Sequence, residues 1–324
     1  MAVELNQSNL FALNKYDFDD FGLISIMYHR FNESKYPSTN IQLDIFKEQL
    51  KIIETEGIEF IHPDKFEKSL IEKKSKRKIL LTIDDGLLSF YENAWPILRE
   101  KNIPFILFVN TREVGSFNYM SWDQILELHK DSNVEIGNHS HSHEYLVDEN
   151  PNVIEKDILT SMKIFKKKLG RNSKFFSYPF GEYSSEFKKI IKDLGFKYAF
   201  GQHSGVIDET KDFYELPRFP INEKYGEIKR FKSLTKTLPF KYKEILPNEK
   251  YLLKNKNPPK VKIQFYEGIN NLKSLGCYSN EGDSWRESNI EFEDDLTLLI
   301  NINEKFVGER GRINCSLRDP SGFW

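Results

Sequence analysis

From residue 22 to about residue 245 the chain keeps alternating between two textures, and this restricts its fold more than any other feature. Short apolar, β-branched or aromatic runs at 23–28, 58–61, 78–83, 104–109, 134–137, 174–178 and 197–200 read as strands. Longer stretches between them carry a helical period. Leu43, Phe46, Leu50 and Ile53 form one apolar stripe. Ile154, Ile158, Met162, Phe165 and Leu169 form another, which Gly170 closes. Strand–helix alternation of this kind predicts a parallel sheet covered by helices. A span of roughly 225 residues suits a closed or nearly closed β/α barrel. A doubly wound open sheet is the alternative, but no glycine-rich dinucleotide fingerprint or Walker sequence is present.

The texture changes near residue 245. Residues 246–259 are turn-rich and polar and read as a linker. Residues 260–324 carry short alternating segments at 261–266, 289–292, 296–300 and 312–316, expected to form a small β-sandwich-like domain. Tyr278, Trp285 and Trp324 are assigned to its core rather than to sugar stacking. Residues 1–21 are an N-terminal extension, and the barrel spans 22–245. With 47 basic and 49 acidic residues the chain has no basic excess, which excludes non-specific nucleic-acid binding. No apolar run reaches the ~18 residues of a membrane span. The first twenty residues lack a basic start followed by an apolar stretch, so a cytoplasmic location is expected, with extracytoplasmic action left open. Cys277 and Cys315 are the two cysteines, too few for a Cys-rich zinc site, and a reduced pair is expected.

Three segments carry chemistry. An apolar strand runs into Asp84-Asp85-Gly86, where two adjacent carboxylates call for a cation or a shared proton. A second strand runs into Gly137-Asn138-His139-Ser140-His141-Ser142-His143, with three of the seven histidines in five residues. A helical turn would put His139 and His143 on one face and point His141 elsewhere; an extended segment would put all three on one face. Two imidazoles plus Asp85 make a three-ligand open site, the pattern of catalytic zinc, and Co, Ni, Mn or Fe also suit it. The third segment, Tyr178-Pro179-Phe180-Gly181, is a candidate wall of the same pocket. His62 and His129 read as surface residues. Arg218, in Leu216-Pro217-Arg218-Phe219-Pro220, could reach the pocket or anchor a loop.

Thr82-Ile83-Asp84-Asp85-Gly86, then His139-Ser140-x-x-His143, then Tyr178-Pro179-Phe180 resemble the motifs of the polysaccharide deacetylase (NodB homology) family, carbohydrate esterase family 4. Met27-Tyr28-His29-Arg30 also resembles the subgroup acting on exopolysaccharide. The resemblance covers roughly residues 20–245. It implies an α/β fold, a distorted (β/α) barrel of the NodB type, and metal-dependent removal of N-acetyl groups from a glycan. It implies Asp84 as catalytic base, Asp85, His139 and His143 as metal ligands, and the Phe180 N–H as oxyanion donor. Tyr178, Pro179 and Phe180 would border the substrate. Two departures stand out. Ser177 occupies the place of the arginine that usually holds the base, and no histidine follows His203 to complete the late acid motif. His29 is the first candidate for the missing acid and His203 the second. A small-molecule amidohydrolase on the same barrel and a carbohydrate-binding protein with a vestigial site are the competing functions.

Overall fold

Strands covered on both faces need apolar side chains at every position, not every second one. Leu23–Tyr28 (β1) is buried throughout, and Lys78–Ile83 (β3) at all but its first residue. Phe105–Val109 (β4), Val134–Asn138 (β5), Phe175–Ser177 (β6) and Tyr198–Phe200 (β7) are buried throughout. These strands pair in parallel in the order β1-β3-β4-β5-β6-β7, with the short strand Glu59–Phe60 (β2) beside β3. This computed structural model describes residues 21–72, 76–269 and 271–318. Residues 1–20 of the expected extension, and Trp324, lie outside them.

The sheet curls because the chain returns. After β7, Val206–Ile207 (β8) pairs antiparallel with β1, and Phe219–Pro220 (β9) pairs parallel with β1. Leu216 bridges to Phe200 on the far edge, so the segment after β7 touches both edge strands of the parallel run. The result is the distorted (β/α) barrel that the family resemblance implied, in keeping with the nearly closed barrel expected from the alternation. Leu43–Thr55 (α1) buries Phe46, Leu50 and Ile53 on the predicted stripe. Pro151–Leu169 (α5) starts at an Asn150 cap and stops at Gly170, whose φ of 76° is left-handed.

The chain divides into two units, Met1–Pro239 and Phe240–Trp324. The second therefore starts before the predicted linker. Glu244–Leu246 (β10) pairs with Val261–Gln264 (β11), so 246–259 is a loop inside this unit. Gly276–Ser279 (β12) is flanked by Arg286–Glu287 (β13), while Asn289–Asp294 (β14) pairs with Thr297–Asn301 (β15) and Ile313–Ser316 (β16) closes the set. They form one four-stranded and one three-stranded sheet, β10-β11-β15-β14 and β13-β12-β16. Val261, Ile263, Phe265, Leu272, Leu298 and Ile300 fill the core of this unit.

Two expectations fail here. Tyr278 and Trp285 are not core residues; they are 45% and 52% exposed. Strand alternation puts the small Cys277 and Ser279 inside and leaves Tyr278 outside. Cys277 and Cys315 are not a reduced pair but a disulfide. They face each other across β12 and β16 in one sheet, not across a sandwich.

Candidate active site

The carboxyl ends of β3, β5 and β6 converge at the candidate site. β3 delivers Asp84 and Asp85, and Asp85 takes a left-handed φ of 76° before Gly86 at 72°. This reversal sends two neighbouring carboxylates into different surroundings. Asp84 is fully buried and Asp85 keeps 15% of its side chain exposed.

β5 delivers the histidines. Gly137 is required there, because a Cβ would stand 2.4 Å from the Phe108 ring. The segment beyond is neither helical nor extended. Ser140 and His143 adopt left-handed φ values of 70° and 53°, which is costly for non-glycine residues unless other contacts enforce it. Those contacts are present. Asn138 Oδ1 accepts the Ser140 N–H at 2.9 Å, and Ser140 Oγ accepts the His143 N–H at 3.0 Å. From α5, Asp157 accepts the N–H groups of His141 and Ser142 at 2.8 and 3.0 Å. Asn138 Nδ2 also donates to Ser161 Oγ on that helix at 2.9 Å.

This loop puts His139 and His143 on one side and His141 on another. Asp85 Oδ1 lies 3.5 Å from His139 Nε2 and 3.3 Å from His143 Nε2. One ligand atom from each of these residues lies within 4.8 Å of the others. His141 Nδ1 instead meets the Thr111 hydroxyl at 2.9 Å. His139 Nδ1 is 2.7 Å from the Ser177 carbonyl, which makes Nδ1 the donor and leaves Nε2 a bare lone pair. His139 Nε2 and Asp85 Oδ1 are both buried without a hydrogen bond. Two buried acceptors aimed at one point fit a divalent cation, and the oxygen–nitrogen donor set suits zinc and its first-row neighbours.

Asp84 is saturated where Asp85 is open. Burial alone would raise its pKa, but the Arg218 guanidinium, with His139 behind it, holds the carboxyl below the ordinary range. Arg218 Nη1 and Nη2 reach the two oxygens of Asp84 at 2.7 and 2.8 Å. The remaining donors go to Thr82 Oγ1 at 3.2 Å, Ser177 Oγ at 2.8 Å and the Gly201 carbonyl at 3.0 Å. All five guanidinium N–H groups thus have acceptors. The rings of Phe108 and Phe200 lie 5.5 and 5.8 Å from its carbon. Ser177, in the place of the motif arginine, donates to Asp84 Oδ2 at 3.3 Å. The arginine is present; it arrives from a later segment. Sequence reasoning noted Arg218 without placing it. The available signal was one charged residue inside the apolar run Leu216 to Phe219.

Charge organises the rest of the cluster. Burial would raise Asp85, but His139, His29 and His143 hold it far below the usual range. Burial would lower His139, yet Asp84 and Asp85 raise it above an ordinary histidine. Burial and the neighbouring His139 push His143 down to about 4.

The other predicted site residues divide. His29 follows β1, close enough for its charge to act on Asp84, Asp85 and His143. His203 lies beside Tyr183, and its carbonyl accepts the Arg218 N–H at 2.9 Å. Tyr178 is no pocket wall. It is fully buried among Phe176, Tyr183 and Phe187, and its hydroxyl donates to the Tyr214 carbonyl at 2.9 Å. Pro179 is buried as well. Phe180 alone borders the cluster, 4.9 Å from His143 between ring centres, with a left-handed φ of 59°.

Comparisons with known proteins bear on the family and the fold. The family described as polysaccharide deacetylase matches residues 71–199. A poly-β-1,6-N-acetyl-D-glucosamine N-deacetylase of Staphylococcus aureus (strain MRSA252) is 26% identical over 249 residues, 71% of this chain and 85% of that protein. Among solved structures, IcaB from Ammonifex degensii aligns with a TM-score of 0.61 at 25% identity, over 67% of this chain and 98% of its own. The Streptococcus pyogenes deacetylase PplD, solved with acetate, aligns at 0.58 and 24% identity, over 63% of this chain and 94% of its own. Motif order, barrel and relatives agree: residues 71–199 match the polysaccharide deacetylase family, and the barrel that contains them is of the NodB type.

Proposed function

We propose that this chain hydrolyses N-acetyl groups on a polymer of N-acetylglucosamine, with one divalent ion, zinc, held by Asp85, His139 and His143. The β-1,6-linked polymer named for the staphylococcal relative is the proposed substrate. The observation that carries the reading is the unequal treatment of two adjacent carboxylates. Asp84 has both oxygens fixed by Arg218, while Asp85 faces two imidazoles with a buried oxygen unbonded.

A divalent ion in this site supplies Lewis acidity to the acetyl carbonyl and acidifies water. Asp84 is the general base that takes the proton of the attacking water. Arg218 is a positioning residue: it keeps the base ionised and prevents its rotation. The Phe180 N–H donates to the developing oxyanion. His29 gives the leaving amine its proton, and His203 is the second candidate. A vestigial site is disfavoured, because the buried, unbonded Asp85 Oδ1 and His139 Nε2 cost stability unless a cation joins them. We also place the reaction outside the reducing cytoplasm, against the expectation from the N-terminal sequence. The Cys277–Cys315 disulfide supports this, since such bonds persist in oxidising compartments.

The test is acetate release from β-1,6-linked N-acetylglucosamine oligomers after chelation and after zinc is added back. Zinc-restored release is expected. Release from small amides but from no saccharide would move the assignment to a small-molecule amidohydrolase. No release from either would sink the enzymatic reading.

A further inference from the structure

Three rings in contact lead from the candidate ion site to Tyr145. The His143 and Phe180 ring centres lie 4.9 Å apart and the Phe180 and Tyr145 centres 5.5 Å apart, with the ring planes tilted by 48° and 57°. Phe180 and Tyr145 are both half-buried, although residues beside them in the chain are inside. Pro179 and Gly181 flank Phe180 and are buried, and Leu146, next to Tyr145, is buried as well.

Neither ring sits on a loose segment. A Cβ on Gly181 would stand 2.4 Å from Gln202, so the turn that carries Phe180 is tightly packed. Tyr145 lies between two anchored points. Ser142 Oγ accepts the Glu144 N–H at 3.2 Å, and the Tyr145 carbonyl accepts the Asp148 N–H at 3.2 Å. A tyrosine held this way offers a large, rigid contact area at small entropic cost.

The neighbouring chemistry names the occupant. Phe180 supplies the proposed oxyanion donor, so the acetyl oxygen of a bound substrate lies at its backbone N–H. In an N-acetylated sugar the amide nitrogen is bonded directly to the pyranose ring. The sugar carrying the reacting group, and the one linked to it, must then pass close to the side chains packed on Phe180. A pyranose has an apolar C–H face and a hydroxylated edge. A tyrosine has an apolar face and a hydroxyl tip, and matches both.

We propose that Tyr145 is a specificity-determining residue whose ring packs against a pyranose of the bound glycan. The placement of the sugar rests on the deacetylase reading. The contact is made to a part of the substrate that does not react, so ground state and transition state share it. Binding of that kind lowers KM and leaves kcat alone. A tyrosine that only propped Phe180 would act through the oxyanion donor, and hence on kcat.

A β-1,6-linked N-acetylglucosamine hexamer is the probe. Heat of binding is followed on the full chain stripped of metal, and acetate release on the zinc-loaded chain. Tyr145→Ala should raise Kd and KM together by roughly 2–10-fold with kcat almost unchanged. Tyr145→Leu keeps bulk against Phe180 but removes the flat face, and should match Tyr145→Ala. Tyr145→Phe should retain most of the affinity. A fall in kcat at constant KM and Kd in Tyr145→Ala, recovered in Tyr145→Leu, would reduce Tyr145 to a prop and overturn the proposal. Kd and KM unchanged in both variants would overturn it as well. The deacetylase reading fails separately. Hexamer binding that Tyr145→Leu weakens, in a wild type releasing no acetate, keeps the sugar contact and removes the reaction. Acetate release that neither substitution alters keeps the reaction and removes the contact. A wild type that neither binds the hexamer nor releases acetate removes both.

Discussion

The two units solve the problem of polar groups in opposite ways. The barrel buries charge and satisfies it: Arg218 and Asp84 are both fully buried, with every guanidinium donor bonded. The smaller unit exposes its aromatics and acidic residues and adds a covalent bond to a modest core. A large core can hold a costly arrangement such as four left-handed non-glycine residues, Asp85, Ser140, His143 and Phe180, around one site. In the second unit Asn271 is the one left-handed non-glycine residue among the described residues.

The sharpest way to break this comparison is at the proposed metal ligands. His139→Ala should abolish stoichiometric zinc binding and bring acetate release to background, while His141→Ala should keep both. Calorimetric zinc titration checks this, and the reverse result would void the ligand assignment. Arg218→Met comes next. It leaves a buried carboxylate unpaired, which costs about 3–5 kcal/mol of stability, and it frees the base, for which roughly 10²–10⁴-fold in kcat is expected. Adding Asp84→Asn should restore stability but not activity. Denaturant melts and rates on the three variants separate the two effects.

Cys277→Ser should act on the other unit alone. The bond closes a separation of 38 residues, and losing it should cost about 3–4 kcal/mol there. Zinc affinity and acetate release should stay unchanged; a parallel fall in both would show that the units do not act independently. Asp157→Asn weakens the clamp on the histidine loop, and zinc affinity should fall about tenfold or more while the fold persists. The smallest effect is on acid stability. Asp84 is depressed in the folded chain. Its pairing therefore contributes stability that is complete above the ordinary carboxylate pKa of ~3.9 and is lost as pH falls through the lower folded value. The barrel should show flat stability from this pair between about pH 5 and 8, and Arg218→Met should remove its share of the acid transition.

Much of the barrel was legible because its strands are buried on both faces and read as continuous apolar runs. The three candidate metal-site residues were legible because two come from one five-residue segment and the third sits at a strand end. Arg218 was not, because its partner lies 134 positions earlier and only the closing of the sheet brings them together. Tyr178 misled because a motif neighbour of a pocket residue points into the core on the opposite side of its strand. In the second unit Glu244–Leu246 was too short and too polar to announce a strand. Tyr278 and Trp285 were misassigned because aromatics in a small β domain are usually inside.

The separation of 134 residues between Arg218 and Asp84 also bears on how the barrel folds. Strands β3 to β7 end at residue 200, so they can pair before the chain returns to β1. During that interval Asp84 has no guanidinium, and water must stay in the site to solvate it. The site dries only when residues 206–220 dock along β1. If this docking follows the folding transition state, Arg218→Met should accelerate unfolding and leave the folding rate almost unchanged, which stopped-flow refolding and unfolding rates check. In that case the Arg218–Asp84 pair is also a latch on the lifetime of the folded barrel.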